Sequence, residues 1–300
     1  MITQYFQHDQ FKRCHEHGTG FDKILKPYSD VNAPAFFMST LSIEQISLRH
    51  KGPAVMIVNN DIRPIQNNLE WVKNKKDLYF ISTSKLTSVY LDGLGLDYVE
   101  FPWYPHNIKD IKSYPKGSGI YFYGQRDNDN LYGYNIVPRL MKKHFPHIPV
   151  YYGTYHSTGA PFIKYTPQQL DEIYKKVFVS IRLTRYDGLS HSAQTLGLRG
   201  IKSIWNGGTP SALSYKSEQD IINHIKNEHK TIGFNDAELS KQCKEYLEPT
   251  NPKYNYIFQL ETYTQNKPTP KLFHNDQPLT FKNYNETIDE LSNMNRPLSI

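Results

Sequence analysis

Residues 177–207 read VFVSIRLTRYDGLSHSAQTLGLRGIKSIWNG, an order of strand, polar loop, helix and strand. The apolar run Val177 to Ile181 has the length and β-branched content of a buried strand. It stops at Arg182, and a helix with Ala193, Leu196 and Leu198 starts at Ser190 and can end at Gly200. Ile201 to Trp205 then resume a strand. This is the crossover unit of an α/β sheet, with its polar groups gathered in one loop. A helix that begins Ser190-His191-Ser192 points backbone N–H groups and the positive end of its dipole above the sheet. Arg182 and Arg185 lie just upstream, so an anion belongs there, and a diphosphate suits two guanidinium groups and a helix start better than a single carboxylate does. An ordinary crossover with a Ser N-cap and solvent-facing arginines needs no ligand.

The same stretch resembles the donor-site motif of retaining glycosyltransferases of the GT-B fold, the family 4-like group typified by glycogen synthase and phosphatidylinositol mannosyltransferase. Asp187-Gly188-Leu189-Ser190-His191-Ser192-Ala193 fits the first half of that motif and Gly200-Ile201-Lys202-Ser203-Ile204 fits its end. The resemblance implies that Asp187 contacts the donor sugar. Where the family carries a second acid that reaches the ribose, this chain has Thr195, preceded by Gln194. The family also has a basic pair after the first strand of its second domain, an Arg and then a Lys just before a Gly. Arg126 stands for the first, but Tyr132 precedes Gly133, and Arg182 or Arg185 can replace the missing charge. The implied diphosphate contacts are therefore Arg126, Arg182, Arg185, Ser190, His191 and Ser192.

A second agreement lies between residues 78 and 133. Leu78 to Ser82 reads as a strand, Ser84 to Leu94 as a helix closed by Gly95, and Leu96 to Pro105 as a strand leaving toward a Pro-rich connector. Ser113 to Gly119 is a turn-rich linker, and Ile120 to Gly124 opens a new strand. The expected architecture is α/β, two Rossmann-like domains facing each other across a cleft. Residues 1–112 form the acceptor-side domain, 117–250 the nucleotide-sugar domain, and 251–300 a polar segment, with a helix over Glu286 to Met294, that returns to the first domain.

Other residues keep two readings. Pro53 to Asp61 is a strand ending in Asn59, Asn60 and Asp61, where a parallel sheet faces its ligand and Asp61 can act as a base or touch the acceptor. The alternative is an Asx-rich turn before Pro64. Tyr155, in the loop 153–159, can stack on the nucleotide base or lie on a surface loop. His8, Asp9, His15, Glu16 and His17 suggest a metal, but His15 and His17 diverge on either a strand or a helix, so no metal is assigned. The expected reaction needs no cofactor beyond the nucleotide sugar.

The 300 residues suffice for two modest domains, and 23 Tyr and 15 Phe supply buried surface despite 38% hydrophobic content. Cys14 and Cys243 have no metal-ligand spacing and read as free thiols in a reducing compartment. No apolar run approaches the ~20 residues of a membrane-spanning helix, and the start lacks a signal peptide, so a cytoplasmic protein is expected. The net charge of +6 favours anionic ligands without choosing among them. Abundant Lys, Asn, Ile and Tyr suggest an AT-rich, viral coding sequence. The expected function is sugar transfer from a nucleoside diphosphate sugar, UDP among the candidates, to a glycan, lipid or protein. A modified DNA base as acceptor, a nucleotide-sugar epimerase and a non-catalytic nucleotide-binding module remain alternatives.

Overall fold

The computed structural model describes residues 4–6, 25–38, 42–58, 63–75, 77–102, 104, 106–124, 132–154, 161–183, 190–248, 273–274 and 277–278. The chain divides into two compact units: it passes from the first to the second between Ile108 and Lys109 and groups with the first again from Leu247. The described residues of the first unit build β1 (Gln4–Tyr5), β2 (Lys26–Pro27), β3 (Ala35–Met38), α1 (Ser42–Arg49), β4 (Ala54–Val58), α2 (Arg63–Gln66), α3 (Leu69–Asn74), β5 (Leu78–Ser82), α4 (Lys85–Gly93) and β6 (Tyr98–Glu100). The second unit builds β7 (Gly119–Tyr123), α5 (Val137–His144), β8 (Val150–Gly153), α6 (Pro167–Tyr174), β9 (Val177–Ile181), α7 (His191–Leu198), β10 (Lys202–Ile204), β11 (Ala212–Leu213), α8 (Glu218–His229) and α9 (Ala237–Leu247). A short antiparallel pair, β12 (Phe273–His274) and β13 (Gln277–Pro278), follows. The helix expected over Glu286 to Met294 lies outside the described residues.

Both larger sheets are parallel. Their orders are β2-β1-β3-β4-β5-β6 and β11-β10-β9-β7-β8. Each chain path starts inside its sheet, steps to one side and then returns to build the other side, which is the doubly wound pattern. Strands β3, β4, β5 and β9 are buried at every position. Helices covering both faces demand this, and it explains why these strands are nearly continuous apolar runs rather than alternating ones, the buried Ser82 and Ser180 donating to the Ser84 carbonyl and to Ser203 Oγ. In the first unit, Phe37, Met56, Phe80 and Tyr98 stand in register across four strands and pack in one core with Ile43 and Ile46 of α1 and Leu91 of α4. In the second, Ile120, Phe122, Val179 and Ile204 meet Leu140 of α5 and Ile221 and Ile225 of α8. The opposite face carries Tyr121, Ile173, Tyr174 and Leu196.

Helix ends follow the sequence. Thr166 and Ser217 form capping boxes at the starts of α6 and α8. Ser84 caps α4 by accepting from the Thr87 N–H. Inside the second unit, Glu228 is 5% exposed and accepts from Lys116 at 2.9 Å and from Lys202 at 3.0 Å. Lys116 Nζ also donates to Thr231 Oγ1 at 3.1 Å. The triad ties the chain entering β7 to the last turn of α8 and to β10. A buried carboxylate between two ammonium groups is tolerable because each charge has a partner, and removing one partner costs about 3–5 kcal/mol. Glu228→Leu should therefore be the more damaging single change, while Lys116→Met combined with Glu228→Leu should recover much of the loss in urea unfolding. A double variant as unstable as the sum of the single variants would show that the pair is not coupled.

His50, 5% exposed, sits between α1 and β4. Its Nε2 lies 3.0 Å from the Pro53 carbonyl, so Nε2–H donates, and in the neutral ring Nδ1 accepts from the Tyr28 hydroxyl at 3.2 Å. Burial, with help from Lys75, lowers its pKa from the ordinary value, against smaller opposing effects from Pro53, Asp77 and Asp30. The unfolded chain then binds the proton more readily, so this contribution to stability is complete above the unfolded histidine range, near 6.5, and declines as pH falls through it. The first unit should lose stability between pH 7 and 5 by an amount that His50→Gln reduces; an unchanged pH profile in that variant would contradict the assignment.

Candidate active site

In doubly wound sheets, ligands bind beyond the carboxyl ends of the strands where the order reverses. In the second unit that reversal lies between β7 and β9, since β8 adds on the far side of β7. Phe122 and Ile181 are partners in the ladder, so Tyr123 and Arg182 are the next pair outward, at the carboxyl edge. The Arg182 guanidinium carbon lies 4.3 Å from the Tyr123 ring centroid and 5.2 Å from that of Tyr132. The two rings meet each other at 5.4 Å and 80°. Each ring–guanidinium contact contributes about 0.5–2 kcal/mol, depending on solvent exposure. The backbone N–H of Arg182 still donates to Ile204 at 3.1 Å, so the residue is fixed to the sheet at its root.

Helix α7 leaves the same edge. Ser190 is its N-cap, 2% exposed, and accepts from the Ala193 N–H, which stabilises the helix start by about 1 kcal/mol. Ser192 Oγ lies 3.2 Å from Ser190 Oγ. His191, Ser192 and Thr195 are half-buried, whereas Ala193, Gln194, Leu196, Gly197 and Leu198 are buried. Thr195 donates its hydroxyl proton to the His191 carbonyl at 2.8 Å, so toward a ribose it acts as an acceptor. At the far end Gly200, at φ +81°, closes the helix: its N–H donates to Gly197 and the Ile201 N–H donates to Leu196, the paired bonds of a left-handed helix stop. A Cβ at Gly200 would also meet the Asp236 carbonyl at 2.6 Å.

The structure thus brings Arg182, Ser190, His191, Ser192 and Thr195 to one strand–helix junction. Asp187, Arg185, Arg126, Tyr155 and Asp61 lie outside the described residues. Two participants were not assigned from sequence. Tyr123 and Tyr132 hold the arginine, and their only sequence signal is that Tyr132 occupies the place before Gly133 where a basic residue was sought. Gln194 is fully buried, and among the described residues neither of its side-chain polar atoms has a hydrogen-bond partner. Leaving such a group unsatisfied costs about 1–3 kcal/mol. A cavity of about 700 Å³ lined by His144, Phe145, His147, Lys226, His229 and Lys230 lies at the amino-terminal edge of the same sheet, away from this junction. Among the described residues no helix is long and apolar enough to cross a membrane.

No protein-family model matches the chain, and no curated protein matches its sequence. In structure it is similar to TarM, with a TM-score of 0.57 and 9% identity over 76% of this chain and 55% of that one. It is also similar to the sucrose-phosphate synthase of Thermosynechococcus elongatus, with a TM-score of 0.56 and 14% identity over 76% of this chain and 72% of that one. The chain spans about half the length of the TarM chain. At these identities the likeness bears on architecture: the fold is α/β with Rossmann-like units, the GT-B class.

Proposed function

We propose that the protein is a glycosyltransferase that takes a sugar from a nucleoside diphosphate sugar and transfers it to a hydroxyl of a glycan, lipid or protein. The observation that carries this reading is the coincidence, at the β7/β9 reversal, of a ring-held guanidinium and the capped start of α7. The similarity to the named sucrose-phosphate synthase supports it as an analogy of fold.

In the transfer, the bond between the anomeric carbon and the diphosphate oxygen breaks with its electron pair going to that oxygen. Arg182 and the helix start offset the charge as it grows, because preorganised dipoles need no rearrangement at that moment. Asp187, assigned from the sequence, holds the sugar hydroxyls and fixes the donor's orientation. The acceptor oxygen bonds to the anomeric carbon and its proton passes to the departing diphosphate, on the same face, giving retention. The proposed chemistry needs no metal ion.

A panel of nucleotide sugars tested by thermal shift, with and without EDTA, examines this directly. At a hundred times its Kd a true donor should add about 2.7 kcal/mol of stability, and EDTA should not change it. Arg182→Ala should weaken that donor at least about tenfold, the loss of one charge-assisted contact, while Lys142→Ala leaves it unchanged. Equal effects of the two variants would remove Arg182 from the site. Asp187→Asn should keep the affinity for the nucleoside diphosphate and lower turnover at least about tenfold, or about 1.4 kcal/mol in barrier. A lower melting temperature with unchanged turnover per folded molecule would make Asp187 a structural residue instead.

A further inference from the structure

We infer that Tyr123 and Tyr132 are positioning residues for diphosphate recognition, holding Arg182 so that the site's cation is delivered from β9 rather than from the loop before α5. The inference rests on the donor-site reading above and adds to it the means by which a single arginine is oriented. Arg182 is the residue immediately after β9, and its side chain has many rotamers of similar energy. The two rings limit that freedom. Tyr123 contributes from the end of β7, the strand paired with β9, and Tyr132 from the segment entering α5. With centroids 4.3 and 5.2 Å from the guanidinium carbon and an angle of 80° between them, they form two walls of a corner.

Tyr132 is itself fixed. Gly133 follows at φ +72°, and a Cβ there would meet Leu183 at 2.9 Å, so the segment carrying Tyr132 packs directly on the residue after Arg182. The Gly133 carbonyl accepts the first backbone bonds of α5, from Ile136 and Val137. A shift of Tyr132 would therefore require movement of the α5 start, and the corner is part of the scaffold. The N–H fork of a guanidinium is the part that recognises two phosphate oxygens, and an aromatic ring beside it adds no opposing charge. Restricting the side chain before binding reduces the ordering cost when the ligand arrives. Because the Tyr132 ring reaches to 5.2 Å from the Arg182 carbon, a lysine at 132, of similar length, would bring an ammonium group to the same place.

The test compares affinities of the full chain for nucleoside diphosphates and monophosphates, using UDP, ADP, GDP and CDP with their monophosphates. Tyr123→Leu and Tyr132→Leu should each weaken the diphosphate that binds the wild type about fivefold, and should lower the preference for diphosphate over monophosphate. Tyr123→Phe and Tyr132→Phe keep the ring and should stay within about twofold. Tyr132→Lys placed on Arg182→Ala should restore most of the affinity that Arg182→Ala loses. A purely structural role for the rings would lower melting temperature and weaken both nucleotide classes alike, with no rescue by lysine, and that result would overturn the inference while leaving the donor site standing. If none of the diphosphates binds the wild type, the donor-site reading fails and the inference fails with it.

Discussion

β7 and β9 pair in parallel from Gly119 to Phe122 although β8 lies between them in the chain. That pairing decides where the second unit can bind anything. It buries Ile120, Phe122, Val179 and Ile181 against α5 and α8 and makes the carboxyl edge the place where successive crossovers diverge. Once the two strands are in register, Tyr123 and Arg182 must emerge side by side, and α7 must start above the same edge. The loss of either core face would disperse all these groups together.

Within the second unit Lys116 and Lys202 meet Glu228, Arg139 meets Glu218, and Lys175 and Arg199 meet Asp171. The exposed members of these pairs contribute little to stability, whereas the buried Lys116–Glu228 contact is costly to break. At the β7/β9 edge the Arg182 guanidinium lies against two neutral rings, those of Tyr123 and Tyr132. A guanidinium and the positive end of a helix dipole act on an anion in the same sense.

Local chemistry made much of this legible in the sequence. The β9–α7–β10 unit was readable because Val177 to Ile181, buried on both faces, is apolar at every position but Ser180, Ser190 is a good cap and Gly200 a good stop. The helix expected over Ser84 to Leu94 is α4, Lys85–Gly93, for the same reasons. Of the strand expected from Leu96 to Pro105, the described residues form Tyr98–Glu100, and Pro102 has no N–H to extend the ladder. The short first strand was not legible: Gln4 is buried because its side chain accepts from the Ser29 and Asp30 N–H groups, partners remote in the chain. The ring corner around Arg182 is likewise a product of topology. Nothing local to Tyr123, Tyr132 or Arg182 shows that the three side chains meet.

The most direct measurement is a structure of the protein with a bound nucleoside diphosphate. The diphosphate oxygens should lie within hydrogen-bond distance of the Arg182 guanidinium and of the first turn of α7, with both tyrosine rings still against the arginine. A diphosphate seated at the amino-terminal edge of the sheet, in the cavity lined by His144, Lys226 and Lys230, or Arg182 turned away from a diphosphate at the α7 start, would contradict the assignment.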